Sequence, residues 1–330
     1  MLRDIDAALG FATSVLGEFD IDGKAHVEFV KYRENHVFKA VTDEKSYAVR
    51  IHRRHYRSNE ELRSEAEYVA RLGEAGMAVP KQRKTTSGQY FLVKTDNEGE
   101  DYQIDVTEWI DNAVPLDDTI QGFKGKSTLS EDDFFKLGEL AATLHKTTRQ
   151  LLVRDIFKRQ SWDGEGLIGK NALWGDPLRA FTEPAQRQLM EKTNERILGE
   201  LGDFSKNSDS YGPIHADFSQ ENILRKDGNF ILIDFDDCGF GWNIFELTTA
   251  LIFYQPHPLY QSYETALFKG YETILPIGER ARELWPVFML ARGETYMGWA
   301  ADRIGDEAAN FLLAELKPLL IEKARQYLKV

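Results

Sequence analysis

The stretch Ile214 to Asp236, IHADFSQENILRKDGNFILIDFD, constrains this chain more than any other. Two β-rich runs, NILRK and FILID, are separated by Asp227-Gly228-Asn229, residue types that accept the backbone angles of a tight turn, so the pair reads as a hairpin. A hairpin brings its two ends together. Asn222, before the first strand, and Asp234, at the end of the returning strand, can therefore face one site although they lie twelve residues apart. A carboxylate with an amide oxygen is a hard-oxygen pair suited to Mg²⁺, which keeps several waters and takes further ligands from phosphates. Asp217, just upstream, can accept or orient a hydroxyl proton. Phosphoryl transfer needs this arrangement: a metal over the phosphates and a carboxylate at the nucleophile.

Ahead of this segment, residues 27–30, 36–41, 46–51, 90–94 and 102–108 are β-rich. Residues 59–76 carry a helical stripe of Leu62, Ala66, Val69 and Ala70, with Ser58 as cap, Glu61 where a capping box needs it, Gly76 at the end and Pro80 beyond. Five strands and one helix then make a small lobe over residues 1–110. A polar linker runs from Asp111 to Ser127, and helical periodicity dominates from Ser130, where Leu129 and Phe134 are spaced to form a hydrophobic staple. Residues 111–330 form a second, mainly helical lobe. A chain of 330 residues with 42% hydrophobic content can fill two such cores.

The charge balance of 41 basic against 54 acidic residues, net −13, repels a phosphate backbone and excludes nucleic acid as the expected partner. One cysteine, Cys238, allows neither an internal disulfide nor a multi-cysteine metal site, which suits a reducing compartment such as the cytoplasm. The opening MLRDIDAALGFATSVLG carries Asp4 and Asp6 and does not read as a secretion signal. No run approaches the ~18 apolar residues of a membrane span, so no membrane partner is expected.

The HxDxxxxN pattern of His215, Asp217 and Asn222, followed by the IDFD strand end, resembles the aminoglycoside phosphotransferase and choline kinase family, the small-molecule branch of the protein-kinase-like fold. Leu137, Gly138, Leu144 and His145 resemble that family's LGxxLAxLH segment, and Phe268-Lys269-Gly270-Tyr271 a later F-x-G-Y element. The resemblance implies an α+β, bilobal protein-kinase-like fold: a five-stranded antiparallel N-lobe with one helix, and a larger helical C-lobe. It makes Asp217 the catalytic carboxylate and Asn222 and Asp234 the Mg²⁺ ligands. His215 would brace the loop, and Asp236 would hold a second metal through water or position substrate.

The small lobe would bind ATP. Arg50, in SYAVRIHR, would reach the phosphates and pair with Glu65 of the helix, the logic of the Lys to Glu pair in kinases, with Glu67 as the alternative partner. The turn Tyr32 to Phe38, YRENHVF, stands where a glycine-rich loop would lie and resembles that of the bacterial stress-response kinase subgroup. Lacking glycine, it would rely on Arg33, Asn35 or their amides for phosphate contacts. Backbone groups of Glu108 and Ile110 would bind the adenine edge beside Trp109.

The implied activity is ATP- and Mg²⁺-dependent transfer of the γ-phosphate to a hydroxyl of a small acceptor. The acidic surface suits a cationic one of aminoglycoside, amino-alcohol or homoserine type, with Asp236, Asp237, Glu246 and Glu294 available to attract its amine. Two alternatives stay open. A serine/threonine protein kinase of the stress-response type would take protein substrates, and a nucleotide-binding pseudokinase regulator would have no use for Asp217, Asn222 and Asp234 together.

Overall fold

Strands β1 (His26–Tyr32), β2 (His36–Val41) and β3 (Ser46–Ile51) pair antiparallel in chain order. Their inward residues Phe38, Ala40, Tyr47, Val49 and Ile51 alternate with outward ones, as a half-buried pleated surface requires. The computed structural model describes all residues except 1–3, 33, 152, 154 and 155, so Arg33 lies outside the described residues. The chain forms two units: Met1–Val114 with Asp155–Lys158 and Ile223–Asp236, and Pro115–Arg154 with Arg159–Asn222 and Asp237–Val330.

In the first unit, helix α1 (Ile5–Ser14) packs Ala8 and Ala12, with Val15, Leu16 and Phe19 beyond its end, on the inner face of the sheet. Helix α2 (Asn59–Glu74) begins with the Ser58 to Glu61 capping box and ends at Gly76, whose φ of +91° disfavours any side chain. The short β4 (Gln82–Arg83), β5 (Phe91–Thr95) and β6 (Asp101–Glu108) complete a six-stranded sheet in the order β1-β2-β3-β6-β4, with β5 also on β6. From sequence this part of the chain carries five strands and one helix. The structure adds β4, too short to produce a periodic run, and α1, whose Asp4 cap and alanine stripe are weak signals alone.

The hairpin belongs to this unit. Strands β7 (Ile223–Lys226) and β8 (Asn229–Leu232) pair Ile223 with Leu232 and Lys226 with Asn229, leaving Asp227 and Gly228 as a two-residue turn with φ of +51° and +79°. Both angles fall where Asp-Gly is favoured. The Leu232 N–H donates to the Ala78 carbonyl at 3.1 Å, fastening β8 to the segment after α2.

The second unit is mainly helical: α3 (Glu131–Gln150), α4 (Pro184–Gly202), α5 (Asn243–Leu251), α6 (Tyr260–Glu272), α7 (Trp285–Ala301) and α8 (Lys317–Leu328). Ser130 caps α3, with Leu129 and Phe134 buried around it. The LGxxLAxLH and F-x-G-Y resemblances meet in one contact. A Cβ on Gly138 would clash with the Leu267 carbonyl, and one on Gly270 with the Phe135 carbonyl, so the two glycines let α3 and α6 touch backbone to backbone. His145 Nδ1 lies 2.9 Å from the Tyr271 hydroxyl across the same seam. Short strands Tyr211–Ile214, Gly239–Trp242 and Ser161–Trp162 form a three-stranded patch beside the helices. Among the described residues no helix is long and apolar enough to cross a membrane.

Candidate active site

Register alone places the first cluster. Arg50 of β3 lies directly opposite Asp105 of β6, and the two form a bidentate pair, Nε to Oδ1 at 2.9 Å and Nη2 to Oδ2 at 2.6 Å. The same Nη2 reaches Glu65 Oε1 at 3.4 Å, whereas Glu67 is spent on Arg71 one turn along α2. Glu65 is therefore the helix carboxylate that meets Arg50, but the closer partner, Asp105, does not stand out in the linear sequence. Its signal there is faint: an acid in the middle of the otherwise β-rich YQIDVTE, which needs a partner if that strand is buried.

His52 Nε2 lies 2.8 Å from Asp105 Oδ2, the same oxygen that accepts Arg50 Nη2. Burial alone would push the Asp105 carboxyl up, but Arg50 and His52 hold it well below the usual carboxylate range. Burial likewise disfavours charge on His52, yet the Asp105 carboxylate raises its pKa above the ordinary value.

Asp234, two residues past β8, sits in the left-handed region at φ +63°, a conformation that costs a non-glycine residue energy. Its carboxylate remains about one-third open and is approached by Lys31 Nζ at 4.0 Å and Arg50 Nη1 at 3.9 Å, too far for direct hydrogen bonds. An open carboxylate flanked by two cations is suited to a divalent ion carrying phosphate oxygens.

Asp236 is buried. Arg57 grips its carbonyl through Nε at 3.2 Å and Nη2 at 2.9 Å, and Asn35 Nδ2 reaches its carboxylate at 3.4 Å. Burial and then the neighbouring Glu65 charge raise its pKa. Asn35 also accepts the Arg53 N–H at 3.0 Å, so its amide is committed to protein groups.

At the end of β6, the Glu108 N–H donates to the Lys81 carbonyl and the Trp109 N–H to that of Ser46, both at 2.9 Å. The Glu108 side chain is held by Lys45 at 3.2 Å and Lys81 at 3.3 Å. The Glu108 and Trp109 N–H groups are therefore both engaged within the protein. Trp109 lies under the Lys39 ammonium, 4.9 Å from its ring centre.

In the second unit, the segment after Ile214 turns sharply at Ala216, φ +69°, whose N–H is accepted by Glu246 Oε1 at 3.0 Å. His215 is fully buried, and its Nδ1 accepts the Asp217 N–H at 3.2 Å, the bracing contact expected of it. Asp217 keeps a quarter of its side chain exposed. Asn222 Nδ2 donates to Asp217 Oδ2 at 2.7 Å and to its carbonyl at 3.0 Å, which leaves the amide oxygen as the end available to a cation. The other carboxylate oxygen, Oδ1, receives Arg292 Nη2 at 2.8 Å. Arg292 has no counterpart in the sequence expectations; its signal is a charge at the end of the apolar WPVFMLA run, two residues before Glu294.

Structure corrects the set of acids available to an amine. Glu246 and Glu294 are fully buried, and Glu246 is used by the Ala216 amide. Burial pushes their carboxyls up to about 7 and about 8, respectively. Asp237 stays half-buried, with Oδ1 accepting the Trp174 indole N–H at 3.1 Å. Because the folded chain keeps protons on Glu246 and Glu294 that the unfolded chain releases near 4.5, stability falls as pH rises from there to about 8. Glu294→Gln is expected to flatten the upper part of that decline. Urea titrations at pH 6 and pH 9 check it, and an unchanged slope would show that Glu294 stays ionised in the fold.

The donor set is hard oxygen throughout, which fits Mg²⁺ rather than a softer ion. Among the described residues no group of three or more His, Cys, Asp and Glu is placed to hold a metal.

Comparison with known proteins gives a consistent picture. The family described as Phosphotransferase enzyme family matches residues 27–284. Amicoumacin kinase of Bacillus subtilis (strain 168) is 26% identical over 230 residues, 69% of this chain; the match spans only 63% of that protein's length. The solved structure of a microcompartment-associated aminopropanol kinase shares the fold with a TM-score of 0.83 at 23% identity, covering 97% of each chain. An amicoumacin kinase in complex with AMP-PNP, Ca²⁺ and Ami gives a TM-score of 0.73 at 20% identity, covering 98% of this chain and 96% of that one. The fold is that of the protein-kinase-like phosphotransferases, α+β with an antiparallel sheet and a helical remainder.

Proposed function

Because this chain belongs to the phosphotransferase enzyme family, we propose that it moves the γ-phosphoryl group of ATP, with Mg²⁺, to a hydroxyl of a small amine-bearing acceptor. The observation that carries this is Asp217: a partly open carboxylate with each oxygen fixed by its own donor, Arg292 on Oδ1 and Asn222 on Oδ2. A carboxylate held this way accepts a hydrogen bond from an acceptor hydroxyl, aligns its lone pair and takes its proton as the bond to phosphorus forms.

Arg50, held by Asp105 and Glu65, would supply a fixed cation for phosphate oxygens, and the exposed Lys31 a second, more mobile charge. Asp234 and the Asn222 amide oxygen would hold Mg²⁺, which when bound neutralises charge on the phosphates. The Glu108 carbonyl and Ile110 backbone would meet adenine. Asp237, half-buried, would meet an amine; its Oδ1 accepts the indole N–H of Trp174, whose ring covers the guanidinium that holds Asp217. Amicoumacin and aminopropanol, the compounds in the relatives' names, support a small-molecule acceptor over a protein one.

The test is Mg²⁺-dependent ATP consumption against amino alcohols including aminopropanol, aminoglycosides, amicoumacin, homoserine and generic protein substrates. Turnover stimulated by an amine-bearing small hydroxyl compound is the expected result. Autophosphorylation with no small-molecule turnover would replace this reading with a protein kinase, and ATP binding with no acceptor in any class would replace it with a regulator.

Metal dependence gives a separate check. Asp234→Asn should raise the Mg²⁺ concentration for half-maximal rate by at least about tenfold and lower the saturated rate by about 10²-fold. An unchanged Mg²⁺ profile would remove Asp234 from the metal site.

A further inference from the structure

We propose that Arg292 is a positioning residue that acts on the reaction through Asp217, an assignment that rests on the role given to Asp217 above. Arg292 and Tyr296 lie one turn apart on α7, and Arg292 Nη2 donates both to Asp217 Oδ1 and to the Tyr296 hydroxyl, each at 2.8 Å. The guanidinium is fully buried, with its carbon 4.3 Å from the Tyr296 ring centre, 4.6 Å from Trp174 and 5.2 Å from Phe245. Its Nε and Nη1 make no hydrogen bond.

An arginine in such a cage is a poor choice for stability alone. Removing the ion from water costs several kcal/mol, and an apolar side chain of similar volume would fill the space as well or better. Three aromatic faces offset part of that cost. Asp217, the carboxylate that the guanidinium bonds directly, supplies further compensation, so the cage holds the cation at one spot and the cation holds the carboxylate. Backbone packing stiffens the cage, since Gly298 of α7 lies directly against the Gly175 carbonyl, beside Trp174.

Geometry explains why two donors are needed. The turn at Ala216 fixes the Asp217 backbone, but a carboxylate still rotates about its side-chain bonds. Asn222 on Oδ2 constrains one oxygen, and Arg292 on Oδ1 constrains the second, which sets the carboxylate plane. A misplacement of about 1 Å at a reacting group can cost on the order of 10²-fold in rate.

The experiment uses four variants of the full chain: Arg292→Met, which keeps volume and removes charge; Arg292→Lys, which keeps charge and removes the fork; Asp217→Asn; and the Asp217→Asn/Arg292→Met double. Arg292→Met is expected to lower kcat by about 10²-fold while KM for ATP and the ATP-induced rise in melting temperature stay within about twofold. Arg292→Lys should recover part of the lost kcat. The double variant should be no slower than Asp217→Asn alone, because a residue acting through Asp217 has nothing left to act on.

Equal kcat in the Met variant and wild type would overturn the proposal. So would a double variant whose losses multiply, since Arg292 would then act independently of Asp217. If Asp217→Asn itself keeps wild-type turnover, the role of Asp217 fails instead, whatever Arg292 does.

Discussion

Asp217→Asn is expected to lower acceptor-stimulated phosphoryl transfer by about 10³-fold while leaving ATP binding within about twofold. Asparagine keeps the shape and still offers an oxygen to Arg292 or Asn222, but it cannot take the hydroxyl proton. It also removes the carboxylate that the buried guanidinium of Arg292 bonds directly, which costs about 1–3 kcal/mol in stability. Rates should therefore be normalised to the folded fraction and measured well below the melting transition. ATP affinity from a thermal-shift titration separates loss of chemistry from loss of nucleotide. Residual turnover above a tenth of wild type, with the chain folded, would remove Asp217 from the reacting position.

The second large effect is on stability. Asp105→Asn is expected to destabilise the chain by about 3–5 kcal/mol, the usual penalty for removing one partner of a buried charge pair. Asp105 is the carboxylate that both Arg50 and His52 share at close range, and both cations are largely buried. ATP affinity should fall with it, because Arg50 would then lean on Glu65 and Asp234 instead of facing phosphate.

The pH dependence follows from the directions of the two shifts. Asp105 is held below its unfolded value, so its stabilisation is present above about pH 4 and is lost as pH falls through its lower folded value. His52 is held above its unfolded value of 6.5, so its stabilisation is full below that pH and is lost as pH rises through the folded value. The cluster contributes most between about pH 4 and 6.5, and Asp105→Asn should flatten both limbs of the stability profile. Denaturant titrations across pH 3 to 9 measure this. A loss under about 1 kcal/mol with both limbs intact would mean that Glu65 takes over as the anion for Arg50.

Much of this molecule is written in short stretches. Ser58 with Glu61 starts α2, Gly76 ends it, and Asp227-Gly228 folds the hairpin, because caps and turns are settled by the few residues that make them. The pattern His215, Asp217, Asn222 and Asp234, to which the proposed chemistry is assigned, is equally local, and so is the contact of the strand cation Arg50 with Glu65 of α2.

Other assignments depended on distance. Glu246 and Glu294 look like surface acids in sequence, yet helix packing buries both, and their carboxyls are driven toward the protonated form. The hairpin follows residues of the second unit in the chain but groups with the first, where β8 bonds to Ala78. Asn35 stands in the turn expected to contact phosphate, yet its amide is drawn to Asp236 and Arg53. Asp105 and Arg292, the counter-charges bonded to Arg50 and Asp217, are separated from them by 55 and 75 residues. The sequence by itself determined where the helix caps and the tight turn fall, since these are decided by backbone and side-chain chemistry within a few residues. Which carboxylate each buried cation receives was decided only by strand register and helix packing, because a charge removed from water takes the partner that the whole fold brings to it.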